Sequence, residues 1–100
     1  MKVYVVVEMF KGGITPEVRG VYKNKETAEV KKNNYRFAYI DEQTLIEFQN
    51  EQAQEEVYVV MELLKLNVPR VVGVYKNKEL AHNISVGCEY DVCVIEEKLG

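Results

Sequence analysis

Cysteine and histidine are scarce in this sequence of 100 residues, which has two cysteines and one histidine. Cys88 and Cys93 lie five residues apart on one predicted strand, where they would point to opposite faces and be roughly 17 Å apart. That separation is too large for a disulfide. His82 is a third potential metal ligand, but the two cysteines and the histidine are not expected to converge on one metal ion. The scarcity predicts a reduced, cytoplasmic protein with no metal and no cofactor.

The sequence also lacks a long apolar run and an excess of basic charge. No run of apolar residues is long enough to span a bilayer. The first residues lead directly into a strand pattern, without the succession of charged, apolar and small residues that marks a secretory signal. The formal net charge is −3, which argues against binding to nucleic acid or to acidic membranes. We therefore expect a soluble protein that contacts neither.

Convergent catalytic residues are missing as well. His82 and Ser85 are one turn apart on a predicted helix, but no third residue completes a triad. Glu8 and Glu62 occupy equivalent positions in two predicted strands, amid apolar neighbours. Carboxylates in such positions pair with a nearby Lys or Arg more often than they catalyse. We predict no catalytic residue and no enzymatic activity.

One stretch of seven residues, in contrast, occurs twice without a change, as Gly20–Glu26 and as Gly73–Glu79. Upstream, Val3–Val6 matches Val57–Val60, and downstream residues 38–42 are similar to residues 93–97. Three similar blocks in the same order predict a tandem duplication, with small insertions confined to the loops.

Each repeat has the pattern of two strands, a helix and a third strand. An asparagine before each helix, Asn24 in the first repeat, is placed to cap it, and Asn33-Asn34 would end the first helix in a left-handed conformation. A right-handed crossover gives the strand order second, first, third, with antiparallel neighbours and the helix on one face. The predicted elements are strands 3–10, 17–22 and 35–41 around a helix beginning at 25, and strands 57–64, 70–75 and 88–96 around helix 78–85.

Residues 1–42 form the first predicted repeat, 43–56 a linker and 57–100 the second. The linker either extends the third strand or forms a helix over 49–54. Strands one and three carry apolar residues on both faces, so the face away from the helix must be covered. We therefore predict an α+β fold in which two ββαβ units, each a mainly antiparallel sheet, pack as an intramolecular dimer about a pseudo-twofold axis.

The repeated Tyr-Lys-Asn-Lys turns are the first candidate binding sites. A helix N-terminus with two lysines suits an anion such as phosphate, although the same residues are also explained as a cap, a core tyrosine and two solvated lysines. Tyrosines on the predicted strands are the second candidate, because a ring with a polar tip suits a protein interface. The candidate binding residues are Tyr22, Lys23, Lys25, Tyr75, Lys76, Lys78, Tyr35, Tyr39 and Tyr90.

The Val-Tyr-Val-Val strand, the Gly-Val-Tyr end of the second strand and the Lys-Glu-x-Ala helix start resemble small uncharacterised proteins of bacteria and their phages. This resemblance implies a phage or mobile-element accessory factor that binds and modulates a host protein. We accordingly expect a non-enzymatic interaction protein with a protein partner, and a homodimer remains open. The alternative is a protein that sequesters a small, nucleotide-like anion at the duplicated turns.

Overall fold

The chain folds into six strands and two helices, and the predicted α+β class is confirmed. The computed structural model describes residues 1–9, 16–47, 55–65 and 68–100. The elements are β1 (Lys2–Glu8), β2 (Glu17–Tyr22), α1 (Lys25–Lys32), β3 (Ala38–Ile46), β4 (Glu56–Leu63), β5 (Pro69–Tyr75), α2 (Lys78–Val86) and β6 (Asp91–Lys98).

The strands form one sheet in the order β2-β1-β3-β5-β4-β6. In each half the first strand lies between the other two and is antiparallel to both, as predicted. The halves join where β3 runs parallel to β5, with Leu45 opposite Val74. A parallel bridge between Val21 and Leu99 links the outermost strands. The halves therefore share one nearly closed barrel, whereas the sequence predicts two separate sheets packed as an intramolecular dimer.

Valines from both halves fill the barrel interior. Val3, Val5 and Val7 of β1 point inward, and so do Val57, Val59 and Met61 of β4. The alternation of strand side chains sends Val6 and Val60 to the outer face, where each half has its own helix. A second apolar cluster forms there, beneath α2, around Val60, Tyr75 and Ala81.

The two asparagine caps form as predicted. Asn24 Oδ1 accepts a hydrogen bond from the Glu26 N–H at 2.9 Å, and Asn77 Oδ1 accepts one from the Leu80 N–H at 2.9 Å. Both bonds satisfy amides that have no partner within the helix. The helix ends at Asn33, as predicted, and Asn33 itself is right-handed with a φ of −65°.

The third strand of each half begins later than its sequence pattern predicts. The Tyr35 N–H donates to the Lys32 carbonyl. Tyr35 therefore belongs to the turn that ends α1, and β3 begins only at Ala38. In the second half the Cys88 N–H bonds to the Ser85 carbonyl in the same way. Cys88 therefore lies before β6, and the prediction of both cysteines on one strand is wrong.

The predicted linker begins within a strand. β3 continues to Ile46, and Leu45 is buried in the barrel core, which fits the strand-extension alternative. The predicted helix over 49–54 lies outside the described residues, as does the end of the first predicted strand at Phe10.

Candidate functional site

The two repeated tyrosines lie along their own strands, over the glycines two residues earlier. A Cβ added to Gly20 would be 2.5 Å from the Tyr22 hydroxyl oxygen, and one added to Gly73 would be 2.6 Å from that of Tyr75. Glycine thus provides the space in which each ring lies. Tyr75 is buried under α2 and Tyr22 is partly exposed. This packing explains the repeated Gly-Val-Tyr without any ligand.

The lysines of the two turns belong to different junctions of the barrel. The Lys23 N–H donates to the Gly100 carbonyl at 3.0 Å, and the Lys76 N–H donates to the Ile46 carbonyl at 3.0 Å. Lys76 Nζ also pairs with Glu47 at 3.5 Å. Lys25 and Lys78 are exposed at the starts of their helices. The structure therefore does not bring the turns together into one anion site.

The three remaining candidate tyrosines occupy separate environments. Tyr35 lies under the Arg19 guanidinium, whose central carbon is 5.3 Å from the ring centre. Tyr39 packs against the barrel core, and burial together with the charge of Asp41 raises the pKa of its phenol. Tyr90 is exposed just before β6. They do not form a common aromatic surface.

The equivalent carboxylates Glu8 and Glu62 pair with arginines, as predicted. Glu8 accepts a hydrogen bond from Arg19 Nε at 2.7 Å. Glu62 is 4% exposed and pairs with Arg70 at 3.2 Å, and its second oxygen accepts the Tyr90 N–H at 3.2 Å. Both carboxylates therefore have structural partners, which is what a buried charge requires.

The β3–β5 junction is bridged by a side chain as well as by the backbone, and we call it the closed seam. The backbones pair only at Leu45–Val74 and Ile46–Tyr75. Beyond that point Gln43 Nε2 lies 3.4 Å from the Val71 carbonyl of β5 and donates to Asp41 at 2.8 Å. Tyr39 places its ring against the core beside them.

The β6–β2 junction is open, and we call it the open seam. Its parallel bridge is that of Val21 with Leu99, where the Gly100 N–H donates to the Val21 carbonyl at 2.9 Å. Beyond the bridge the strands separate around an opening of about 250 Å³. The opening is mostly apolar and is lined by Pro16, Glu17, Val18, Met61, Cys93 and Ile95.

Register explains why the two seams differ. Val7 is opposite Tyr39 in β3, and its counterpart Met61 is opposite Cys93 in β6. A thiol thus occupies the position that a phenol ring fills in the closed seam, and this smaller side chain leaves the opening unfilled. Cys93 is exposed at the opening, and its thiol lies 3.7 Å from the Met61 carbonyl. Partial loss of hydration raises the pKa of this thiol.

Glu97 occupies the position in β6 that Gln43 has in β3. Glu97 is opposite Val57, Gln43 is opposite Val3, and these two valines are equivalent in the two halves. Burial raises the pKa of Glu97. The pKa of the Tyr22 phenol is raised, first by burial, then by Tyr35 and last by the nearby Glu97. An ionised carboxylate cannot donate a hydrogen bond, so Glu97 cannot span the open seam as Gln43 spans the closed one.

A second concave surface runs along α1. It has a volume of about 470 Å³. Two candidate residues, Lys25 and Tyr39, line it together with Lys32, but Glu29 and Glu42 do so too. The mixed charge gives this groove no net preference for an anion.

Within the described ranges, no group of three or more His, Cys, Asp or Glu residues is arranged to hold a metal ion. Neither of the helices in this part of the chain has the length and apolar character needed to cross a membrane. No protein-family model, no curated protein and no solved structure matches the chain.

Proposed function

We propose that this protein is a non-enzymatic interaction protein that binds an extended strand of a partner protein at the open seam. One observation carries the proposal: the apolar opening between β6 and β2, where the Cys93 side chain is exposed and Ile95 is partly exposed. An exposed strand edge is a template for pairing with another chain.

The backbone of β6 supports an extended occupant. Leu99 directs its N–H to Glu55 next to β4, and Gly100 directs its N–H to Val21 of β2. Because amide directions alternate along a strand, the N–H groups of Val92, Val94 and Glu96 point toward the seam. Among the described residues the seam has no backbone bridge except Val21–Leu99. A partner strand would supply the missing acceptors.

The side chains of the open seam determine which kind of partner residue can enter the opening. A strand paired with this edge would direct alternate side chains into the opening beside Cys93, Ile95 and Met61. A volume of about 250 Å³ suits one or two apolar side chains rather than a cofactor. We therefore expect one apolar residue of the partner to contribute most of the affinity, as anchors in small interfaces do.

The proposed tandem duplication accounts for the presence of two seams with unlike contents. The repeat of Gly20–Glu26, the matching element order and the matching registers of the two halves support it. In this proposal the repeats, 1–42 and 57–100, pack about a pseudo-twofold axis. Their third strands then diverged, so that one seam closed and the other stayed open for a partner.

The resemblance described above adds that the partner is a host protein and that the chain is a phage or mobile-element accessory factor. A cytoplasmic location belongs to the same proposal. It is supported by the two cysteines, which are both free thiols, as is usual for proteins of reducing compartments.

Selection from a displayed library of random short peptides tests the function. The wild-type protein is expected to enrich peptides with an extended, apolar centre. Cys93→Tyr, which introduces at the open seam the ring found at the closed one, is expected to lose these peptides. Tyr39→Phe is the matched control, because it keeps a ring in the closed seam, and it should bind as the wild type does. Enrichment of the same peptides by Cys93→Tyr would refute strand addition at this seam, and so would a wild-type selection that enriches none.

The alternative is a nucleotide-like anion at the duplicated turns, of which Lys25 lies in a groove that also contains Glu29 and Glu42. Thermal-shift measurements with ATP, GTP and inorganic phosphate test it. A rise in melting temperature that Lys25→Ala removes would support the anion site, and no rise with any of the three would eliminate it.

A further inference from the structure

Glu97 is a partly buried carboxylate at the open seam. It shares the inward face of β6 with Ile95 and Cys93, at two-residue spacing. Among the described residues, no lysine or arginine forms an ion pair with it. A carboxylate that loses water without gaining a partner is destabilised in its charged form, which agrees with its raised pKa.

Two basic side chains, one on β2 and one next to Glu97 in β6, are already engaged. Arg19 of β2 bonds Glu8 at 2.7 Å and Glu17 at 3.0 Å, and Lys98 pairs with Glu55 at 3.3 Å. The Tyr22 phenol of β2 is near enough to be influenced by the Glu97 charge, and it is neutral at neutral pH. The residue opposite it on β4 is Val57. The positive charge that Glu97 lacks is therefore not supplied by these neighbours.

We propose that the strand bound at the open seam carries a lysine or arginine that pairs with Glu97, two residues from the apolar side chain that enters the opening. This inference rests on the proposed strand addition and specifies its partner. Side chains two residues apart on a strand point the same way and are separated by roughly 6.6 Å. In the bound strand, the apolar residue opposite Ile95 and the basic residue opposite Glu97 would be two residues apart and would point the same way.

The net charge of the chain also favours a basic residue in the partner. The chain carries a net charge of −3, although the Glu17 carboxylate at the opening is already paired with Arg19. Opposite charges across an interface speed association and exclude like-charged partners. A strand with an apolar residue but an acidic neighbour two positions away would meet repulsion from Glu97.

The test compares peptide selections on the wild type, on Glu97→Gln and on Glu96→Gln, the last being a matched control on the outward face of the same strand. Wild type and Glu96→Gln are expected to enrich a basic residue two positions from the apolar one. Glu97→Gln should keep the apolar residue and lose the basic preference. By fluorescence anisotropy, a selected peptide should bind Glu97→Gln about tenfold more weakly than the wild type.

The same peptide with its basic residue replaced by glutamine should bind wild type and Glu97→Gln equally. An equal preference for a basic residue on wild type and on Glu97→Gln would overturn the inference and leave the strand-addition proposal intact. The strand-addition proposal fails separately, if Cys93→Tyr enriches the same peptides as the wild type in the selection.

Discussion

The two seams of the barrel have the same backbone arrangement and opposite contents. At each seam a third strand runs parallel to the second strand of the other half and pairs over a short length. The inward positions of the third strand hold Tyr39, Asp41 and Gln43 at the closed seam, and Cys93, Ile95 and Glu97 at the open seam. Three side-chain differences thus separate the two junctions.

The difference shows where function can reside in a chain whose two halves have the same order of elements. Backbone pairing fixes the barrel, and side chains at the junctions decide access to its interior.

The largest effect is expected from opening the closed seam. Tyr39→Cys removes a ring that packs against the core and should lower the free energy of unfolding by about 3 kcal/mol, since large-to-small changes leave a cavity. Cys93→Tyr should change it by less than about 1 kcal/mol, because the ring enters space that is already accessible. Urea denaturation of both variants measures the contrast, and equal losses would contradict the unequal filling of the seams.

The next effect compares the two glycines under the repeated tyrosines. Gly73→Ala forces a Cβ against the Tyr75 ring, which is 8% exposed and held under α2, and should cost about 2 kcal/mol by overpacking. Gly20→Ala should cost about 1 kcal/mol or less, because the partly exposed Tyr22 ring is free to move away. Thermal denaturation checks the order, and a larger loss for Gly20→Ala would show that Tyr22 is the more tightly held ring.

A smaller effect is expected from giving the closed seam the carboxylate of the open one. Gln43→Glu removes the donor to the Val71 carbonyl and sets a second negative charge beside Asp41, where Gln43 now donates at 2.8 Å. The expected loss is about 1.5 kcal/mol at neutral pH. Gln43→Ala, which removes the donor without adding charge, is the control and should cost less. A loss from Gln43→Ala that equals or exceeds that of Gln43→Glu would argue against charge repulsion.

The smallest effect is the reverse exchange, Glu97→Gln, and it depends on pH. Burial raises the pKa of Glu97 above its usual 4.5, so the folded state holds the proton more tightly than the unfolded state. The resulting stability is full below about pH 4.5 and is lost as pH rises through the folded pKa. Glu97→Gln avoids that loss, so it should match the wild type near pH 4 and exceed it by about 0.5 kcal/mol near pH 7.

Urea denaturation across this pH range measures the Glu97 effect, with Glu96→Gln as the control that should show no such trend. A Glu97→Gln variant that is less stable than the wild type near neutral pH would mean that the carboxylate has a favourable partner.

The elements and the order of strands within each half were predictable from sequence, because alternation, asparagine caps and turn residues are local signals. The starts of β3 and β6 were not, since the helix ends in turns that recruit Tyr35 and Cys88. The closure of six strands into one barrel depends on pairing between distant segments, such as Leu45 with Val74, which no local pattern encodes.

The candidate site was missed for a related reason. Most of the predicted binding residues were those that the two halves share, such as Tyr22 and Tyr75, whose conformation is explained by packing over glycine; Tyr39 was predicted as an interface tyrosine and not as a seam residue. The seam residues differ between the halves. Which residue of β3 is equivalent to which residue of β6 becomes clear only when the strand register is known. Aligning Ala38 with Val92, as the register requires, instead of with Cys93, would have paired Tyr39 with Cys93 and Gln43 with Glu97.

Amide hydrogen exchange along β6, with and without a peptide selected on the wild type, tests strand addition at the open seam most directly. Exchange at Val94 and Glu96 should slow when the peptide binds, because their N–H groups gain acceptors, while Ile40 and Glu42 at the closed seam should be unaffected. Unchanged exchange at Val94 and Glu96 under a saturating peptide, or equal slowing at both seams, would contradict the account.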